Sequence, residues 1–440
     1  MNNHRNMANS SQSSKVVGMI VLLALLFLGF RFRQHWAPRP EIGPSTRNIH
    51  GISGQVSILR KDREYKGART LPEPPSSCRP FNAGPTGRQC DRWIVVTSIH
   101  PVTDCLRKIA SLKGWCMVVV ADKKGPATME VPNVDYLTVL QQENCGYHIC
   151  QTTPWNHFGR KNIGYLYAME HGAKWIYDTD DDNEPLTDKV PVVDEKLSPL
   201  GQLVASTDVW NPYPTYGSVH PCSDKEIWPR GFPLSRIRDE LTKRTGMAGE
   251  VDSARLGVVQ FLAQHDPDVD AIFRLTRQLP YDFNTAPKAI VLPTNTLSPY
   301  NAQATLHFQD AFWGLLLPIS VHGRVSDIWR SYITQRLLWD IGKRLAFHSP
   351  FVVQNRNVHN YLADFDSEMD LYYKTETLVE FLERWQPADP ASTLEQRLFQ
   401  MQIGLYEYGF IEEQDVKLTV DWIQDLRCRN YAFPKVLPKP

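Results

Sequence analysis

Four aspartates fall within five positions, in the run Trp175-Ile176-Tyr177-Asp178-Thr179-Asp180-Asp181-Asp182-Asn183. Carboxylate oxygens are hard ligands. They suit Mg2+ or Mn2+, cations held by one or two carboxylates and completed by the phosphate oxygens of a substrate. In a turn at a strand end the first and third carboxylates can point the same way, so Asp180 and Asp182 are the expected pair of metal ligands. Asp181 shapes the turn or faces the ligand, and Asp178 is the weakest of the four. A calcium loop is excluded by position. Counted from Asp178, the sixth residue is Asn183 instead of Gly and the twelfth is Lys189 instead of Glu; counted from Asp180, those places hold Pro185 and Pro191.

Such acids need a strand to carry them and a crevice to face, and in α/β sheets that crevice lies beyond the carboxyl edge. The surrounding pattern supplies both. Residues 92–99 (RWIVVTSI), 115–121 (WCMVVVA) and 134–140 (VDYLTVL) read as buried strands, and Trp175–Tyr177 as a fourth. Between them, residues 103–113 and 159–172 carry apolar residues at helical spacing, the second ended by Gly172. The order β-α-β-β-α-β predicts a mainly parallel, twisted α/β sheet of the nucleotide-binding type. Neither G-x-G-x-x-G after the first strand nor G-x-x-x-x-G-K-[ST] occurs, so a dinucleotide fingerprint and a P-loop are excluded. Within the predicted sheet, Thr97 and Asp122 end the first two strands and are placed to contact a base or ribose. Arg160 and Lys161 open the helix before the acidic strand and face the same ligand, or else form a solvated helix start.

The rest of the chain is read more coarsely. Residues 1–15 form a polar tail. Residues 16–30 hold no charge and span ~22 Å as a helix at ~1.5 Å per residue, which is short for a bilayer. Without a clear cleavage site behind them, they are expected to be an uncleaved signal-anchor, a single transmembrane helix. Residues 31–90 read as a stem, 91–385 as the folded domain, and 386–440 as a helical extension. Residues 185–300 read as Pro-rich aromatic loops, and 325–342 as a helix with Ser326 as N-cap and Asp327 in its first turn. Lys plus Arg equals Asp plus Glu, a balance that argues against bulk electrostatic binding to nucleic acid. The eight cysteines contain no C-x-x-C, so a structural zinc site is not expected. Cys78 and Cys90 are placed to close a small loop, and disulfides are expected if the domain is lumenal.

Two blocks carry a family resemblance: FGRKNIGYLYAMEHGAKWIYDTDDDN (158–183) and AFWGLLLPISVHGRVSDIWRSY (311–332). The chain resembles the STELLO-type glycosyltransferase family over roughly residues 91–385, the second block being the more specific. The resemblance implies a GT-A-like fold and makes Asp180-Asp181-Asp182 a D-x-D motif. It implies a type II membrane protein of the Golgi with its catalytic domain lumenal. The expected activity is transfer of a sugar from a nucleotide-sugar donor to a glycan or glycoprotein acceptor, dependent on Mn2+ or Mg2+. In that fold Asp327 is the candidate catalytic base, Trp329 and Arg330 shape the acceptor side, and His348 or His359 is a candidate third metal ligand. The alternative is a catalytically silent, glycosyltransferase-like scaffold that organises other Golgi membrane enzymes, other glycosyltransferases among the partners. A nucleotidyltransferase also uses aspartates and metal on an α/β sheet, but the anchor and the second block count against it.

Overall fold

Four parallel strands form the first half of the sheet in the computed structural model, each where an apolar β-branched or aromatic run occurs. They are β1 (Arg92–Thr97), β2 (Cys116–Val120), β3 (Val134–Leu137) and β4 (Trp175–Thr179). Their order is β3-β2-β1-β4, with Val95 opposite Val118 on one side and Asp178 on the other. Both faces of β1 and β2 are covered, which is why these strands read as continuous apolar runs instead of alternating ones. Helix α1 (Asp104–Ala110) starts at the Thr103 N-cap, and α2 (Lys161–Glu170) packs against β1 and β2. Gly164 permits that approach: a Cβ there would lie 2.7 Å from side-chain methyls of both Val95 and Val120.

The structure describes residues 61–81, 87–191, 200–204, 207–219, 226–243, 246–285, 289–355 and 360–438. The expected tail and the apolar run 16–30 lie outside them. Among the described residues no helix is long and apolar enough to cross a membrane. The described residues fall in one compact unit, Ile58–Pro440.

Beyond β4 the sheet becomes mixed. It continues through β5 (Asn183–Pro185), β6 (Leu200–Val204), β7 (Gly246–Val251), β8 (Leu256–His265), β9 (Ile290–Val291), β10 (Ala304–Phe308) and β11 (Arg344–Gln354). The full order is β3-β2-β1-β4-β10-β8-β11-β9-β6-β7, with β5 paired to β11. Strand β10 is antiparallel to both β4 and β8, and β11 is parallel to β8. So the carboxyl ends of β1, β2, β4, β8 and β11 share one edge with the amino end of β10. The reading of 185–300 as loops therefore missed β8, a ten-residue central strand with its first eight residues buried. Buried strands of this length leave no alternation to read. Trp210, Tyr213, Trp228 and Phe232 in that region are buried in the core, so their rings pack the loops onto the sheet.

Helix α3 (Gly323–Asp340) is buried along nearly its whole length, and α4 (Met369–Arg384), α5 (Leu394–Glu407) and α6 (Glu413–Cys428) complete the C-terminal region. The helix starts earlier than the spacing suggested. His322 is the N-cap, its ring accepting the Arg324 N–H, while Ser326 is internal and donates to the Pro318 carbonyl. Asp327 accordingly sits beyond the first turn. Among the described residues, three disulfides join Cys78 to Cys428, Cys90 to Cys116, and Cys145 to Cys150. Cys78 and Cys90 thus do not close a loop on each other. Residues 61–81 run along the C-terminal helices, where the carbonyl of Glu407 accepts the Asp62 N–H at 2.9 Å and Arg63 pairs with Glu412. The Cys78–Cys428 bond fixes that strap to the end of α6.

Candidate functional site

The acidic run forms the turn from β4 to β5, and β5 leaves its neighbour to pair with β11, placing Asn183 opposite Gln354. The turn therefore opens onto the shared carboxyl edge. There it forms one wall of a cleft of about 380 Å3, to which Asp180, Asp181 and Asp182 all contribute. Thr97 and Asp122, from the ends of β1 and β2, and Arg160 line the same cleft. Six of the residues that sequence reasoning assigned to metal or nucleotide thus come together in one cavity. Cleft residues that the reading missed are Ser98, His100, Lys124, Asn156, His157, Phe158 and Gln354. The available signal for three of them was position, since 156–158 lead directly into the helix bearing Arg160 and Lys161. Gln354 lies 172 positions from Asp182 and had no local signal.

The four acids have different jobs. Asp178 is fully buried, with Lys161 Nζ 2.7 Å from Oδ1 and Arg330 Nη1 2.9 Å from Oδ2. Burial alone would raise its pKa, but Lys161 and Arg330 hold it below the usual carboxylate range. Asp180 keeps 37% side-chain exposure, and that exposure faces the cleft. Burial, and then the carboxylates of Asp182, Asp178 and Asp181, push it up to about 7 against the pull of Lys161 at 3.3 Å. Asp181 is also raised, mainly by burial, while its Oδ2 accepts the Ser98 hydroxyl. Asp182 Oδ1 accepts from Asn183 at 3.1 Å, and Oδ2 accepts from Gln354 Nε2 at 3.1 Å.

Lys161 is wholly buried, which rules out a solvated helix start. Besides the two aspartates it donates to the carbonyls of Thr179 at 2.7 Å and Ala302 at 3.3 Å. Four carboxylates against the two cations Lys161 and Arg330 leave two uncompensated negative charges when all are ionised. Arg160 is likewise buried. Its guanidinium binds Gln142 Oε1 and the Thr153 carbonyl and lies 3.7 Å from the centre of the Trp155 ring, and burial lowers its pKa to about 10. Asp122 uses its carboxylate to accept three backbone N–H groups, from Lys123 and Asn156 at 2.7 Å and from His157 at 3.1 Å. It brackets the loop that forms the cleft wall, with Asn156 at φ +54°. Burial also lowers the pKa of His157, favouring a neutral ring against the cleft.

The residues expected on the acceptor side lie outside the cleft lining. Asp327 is 5% exposed, and both its oxygens are held by Arg230, at 3.1 and 2.9 Å. Arg230 also grips Asp268 at 2.7 and 2.9 Å, and that pairing draws the Asp268 pKa down to about 2 although burial opposes it. Trp329 is buried with its ring 5.9 Å from that of Phe410, and Arg330 is the buried partner of Asp178. His348, on β11, lies edge-on against Phe261 of β8, six residues before Gln354 and, because β11 is irregular between His348 and Val352, ~13 Å from it along the sheet. His359 lies outside the described residues.

Among the described residues, no three His, Cys, Asp or Glu side chains converge to cage a metal ion. A cation shared between one or two carboxylates and a diphosphate needs no such cage. Asp180 and Asp182 are the oxygen donors that fit this mode, since Asp178 is neutralised and Asp181 is turned to Ser98.

Residues 324–439 match the family model of the STELLO glycosyltransferases. The chain is 29% identical over 384 residues to the probable glycosyltransferase STELLO1 of Arabidopsis thaliana, covering 84% of this chain and 48% of that protein. It is 31% identical over 363 residues to the probable glycosyltransferase STELLO2 of the same plant, covering 79% and 46%. The chain spans about half the length of these relatives. By these matches the chain belongs to the STELLO glycosyltransferase family.

Proposed function

We propose that this chain is a metal-dependent glycosyltransferase of GT-A-like architecture, taking a nucleotide-sugar donor at the cleft and passing the sugar to a glycan or glycoprotein acceptor. The observation that carries the reading is the acidic turn at the cleft wall, with two negative charges left over from its buried counter-ions once all four acids are ionised. That excess matches one divalent cation. Asp180 and Asp182 hold Mn2+ or Mg2+, which neutralises charge on the diphosphate as it leaves. Lys161 keeps Asp178 and Asp180 apart in role, balancing the buried acid while leaving the outer one to the ligand. Thr97 and the Asp122-braced loop, with Asn156 and His157, form the wall for the nucleoside. The three disulfides suit an oxidising compartment and so support a lumenal, Golgi setting, with residues 16–30 as a type II anchor.

One observation favours the second reading, a silent scaffold associating with other glycosyltransferases. A base must be free to take the acceptor's proton, and Asp327 has both oxygens bound by Arg230. The experiment that separates the two is release of nucleoside diphosphate from a panel of nucleotide sugars, with and without Mn2+. The Asp180→Ala/Asp182→Ala double variant serves as control. Metal-dependent release from one donor, lost in the variant, is expected. Metal-dependent nucleotide binding with no release from any donor and acceptor combination would overturn the enzyme reading in favour of the scaffold.

A further inference from the structure

The two candidate metal ligands are tied by separate routes to one buried segment, Asn301-Ala302-Gln303, which leads into β10 at the carboxyl edge. The first route runs through the backbone. Lys161 Nζ lies 3.3 Å from Asp180 and 3.3 Å from the Ala302 carbonyl, and the Ala302 N–H donates to Asp327 at 3.2 Å. The second is a ladder of side-chain amides. Gln354 Nε2 donates to Asp182 at 3.1 Å, and Gln354 Oε1 accepts from Gln303 Nε2. Gln303 Oε1 accepts from Asn301 Nδ2 at 3.4 Å, and the same Nδ2 donates to Asp268 at 2.8 Å. Arg230 closes the circuit by clamping Asp268 to Asp327. The start of the acidic turn is held as well, since the Thr179 hydroxyl donates to the Gln303 carbonyl at 2.6 Å.

The ladder has a direction. An ionised carboxylate only accepts hydrogen bonds, so Asp182 at one end and Asp268 at the other each demand an N–H. Gln354 must show its amino group to Asp182 and hence its oxygen to Gln303. Gln303 must then donate, and show its own oxygen to Asn301. Each of the three amides is 7% exposed. An amide turned over would set oxygen against oxygen, or N–H against N–H, in a site with little water to repair the loss.

We propose that Gln354, Gln303 and Asn301 are positioning residues that fix the orientation of Asp182 for the cation, anchored on the Arg230 clamp. The proposal rests on the metal-binding reading of the acidic turn. Hydrogen-bonded partners behind a metal ligand are typically worth 10–100-fold in metal affinity, and that sets the expected size.

The test is Mn2+ binding by the full-length chain, read from the EPR signal of free Mn2+, alone and with UDP. The variants are Gln354→Met and Gln303→Met, which keep side-chain length and remove the amide. Both are expected to weaken Mn2+ binding about tenfold or more and to lower the melting temperature by the few degrees that orphaned buried partners cost, while Gln303→Met, outside the cleft lining, keeps metal-free UDP binding close to wild type. Gln303→Met is the stricter variant, because it does not touch Asp182. Wild-type Mn2+ affinity in both variants, with binding lost in Asp182→Ala, would overturn the ladder and leave the metal reading standing. An equal fall in Mn2+ affinity and in metal-free UDP binding in Gln303→Met would also overturn it, as general loss of structure. No Mn2+ binding by the wild type would overturn the metal reading itself, and the ladder with it.

Discussion

Asp178 and Asp180 are the same residue two positions apart, yet the structure gives them opposite work, and substitution to Asn should separate them cleanly. Asp178 is buried against Lys161 and Arg330, themselves at most 1% exposed. Asp178→Asn removes the charge that both cations face, and breaking a buried pair of this kind costs ~3–5 kcal/mol because a charge is left uncompensated. The unit Ile58–Pro440 unfolds with an entropy of ~2.1 cal/mol/K per residue, so this loss lowers its Tm by about 4–6 °C. Asp180→Asn does the reverse. It removes one of several crowded carboxylates, one already pushed up to about 7 by burial and like charge, so Tm should hold or rise. Mn2+-dependent binding of a nucleoside diphosphate should be lost, since a proposed metal ligand is gone. The assay is differential scanning fluorimetry beside calorimetric titration of UDP with and without Mn2+. If Asp180→Asn is the destabilised variant, or Asp178→Asn keeps full stability, the division of labour drawn from burial and ion pairing is wrong.

Other outcomes follow from the same reasoning. Asp270 caps a short helix by accepting the Phe273 N–H and also accepts Trp228 Nε1, and burial, then Glu368, raises its pKa to about 6. A raised folded pKa contributes stability that is fully present below the unfolded value near 3.8 and lost as pH rises through about 6. The stability gap between Asp270→Asn and wild type should therefore move by about 2 kcal/mol in favour of the variant between pH 4 and pH 8, measured by urea unfolding at each pH; a pH-independent gap contradicts it. Cys78→Ser frees the strap from α6 and opens a loop of 350 residues, so it should cost ~2–5 kcal/mol, read from the same unfolding curves under non-reducing conditions. Asp327→Asn leaves Arg230 paired only with Asp268 and should cost ~3 kcal/mol. Loss of transfer with donor binding retained and that stability restored in a stabilised background would support a base role, whereas retained transfer would end it.

What could be read from the sequence follows the distance over which each feature is decided. The first four strands were legible because their cores are contiguous β-branched runs, and α2 because its ends are local: the 158–160 turn before it and Gly172, at φ +88°, behind it. The acidic turn was legible for the same reason, being a composition anomaly at the end of an apolar triplet. The extent of β4 was not: it continues to Thr179 and carries Asp178 inside the sheet, where tertiary pairing with Lys161 and Arg330 makes an acid admissible in a strand. The same override hid β8, and it hid that Lys161 is a buried counter-ion and that Arg160, while lining the cleft, also braces its loop.

The features that determine how the cleft is held are of a kind no local pattern carries. Gln354 reaches Asp182 because β5 crosses to β11, a pairing between segments about 170 residues apart. Gln303 reaches Gln354 because β10 enters the sheet antiparallel between β4 and β8. A glutamine at a strand end is unremarkable in a sequence, and it becomes significant only once register brings its amide within hydrogen-bond distance of a carboxylate. Residue chemistry thus marks the proposed ligand site, and topology decides which side chains meet its carboxylates. The acids of the turn are therefore the legible half of the site, and the amides behind them are the half that only the register of β5, β10 and β11 defines.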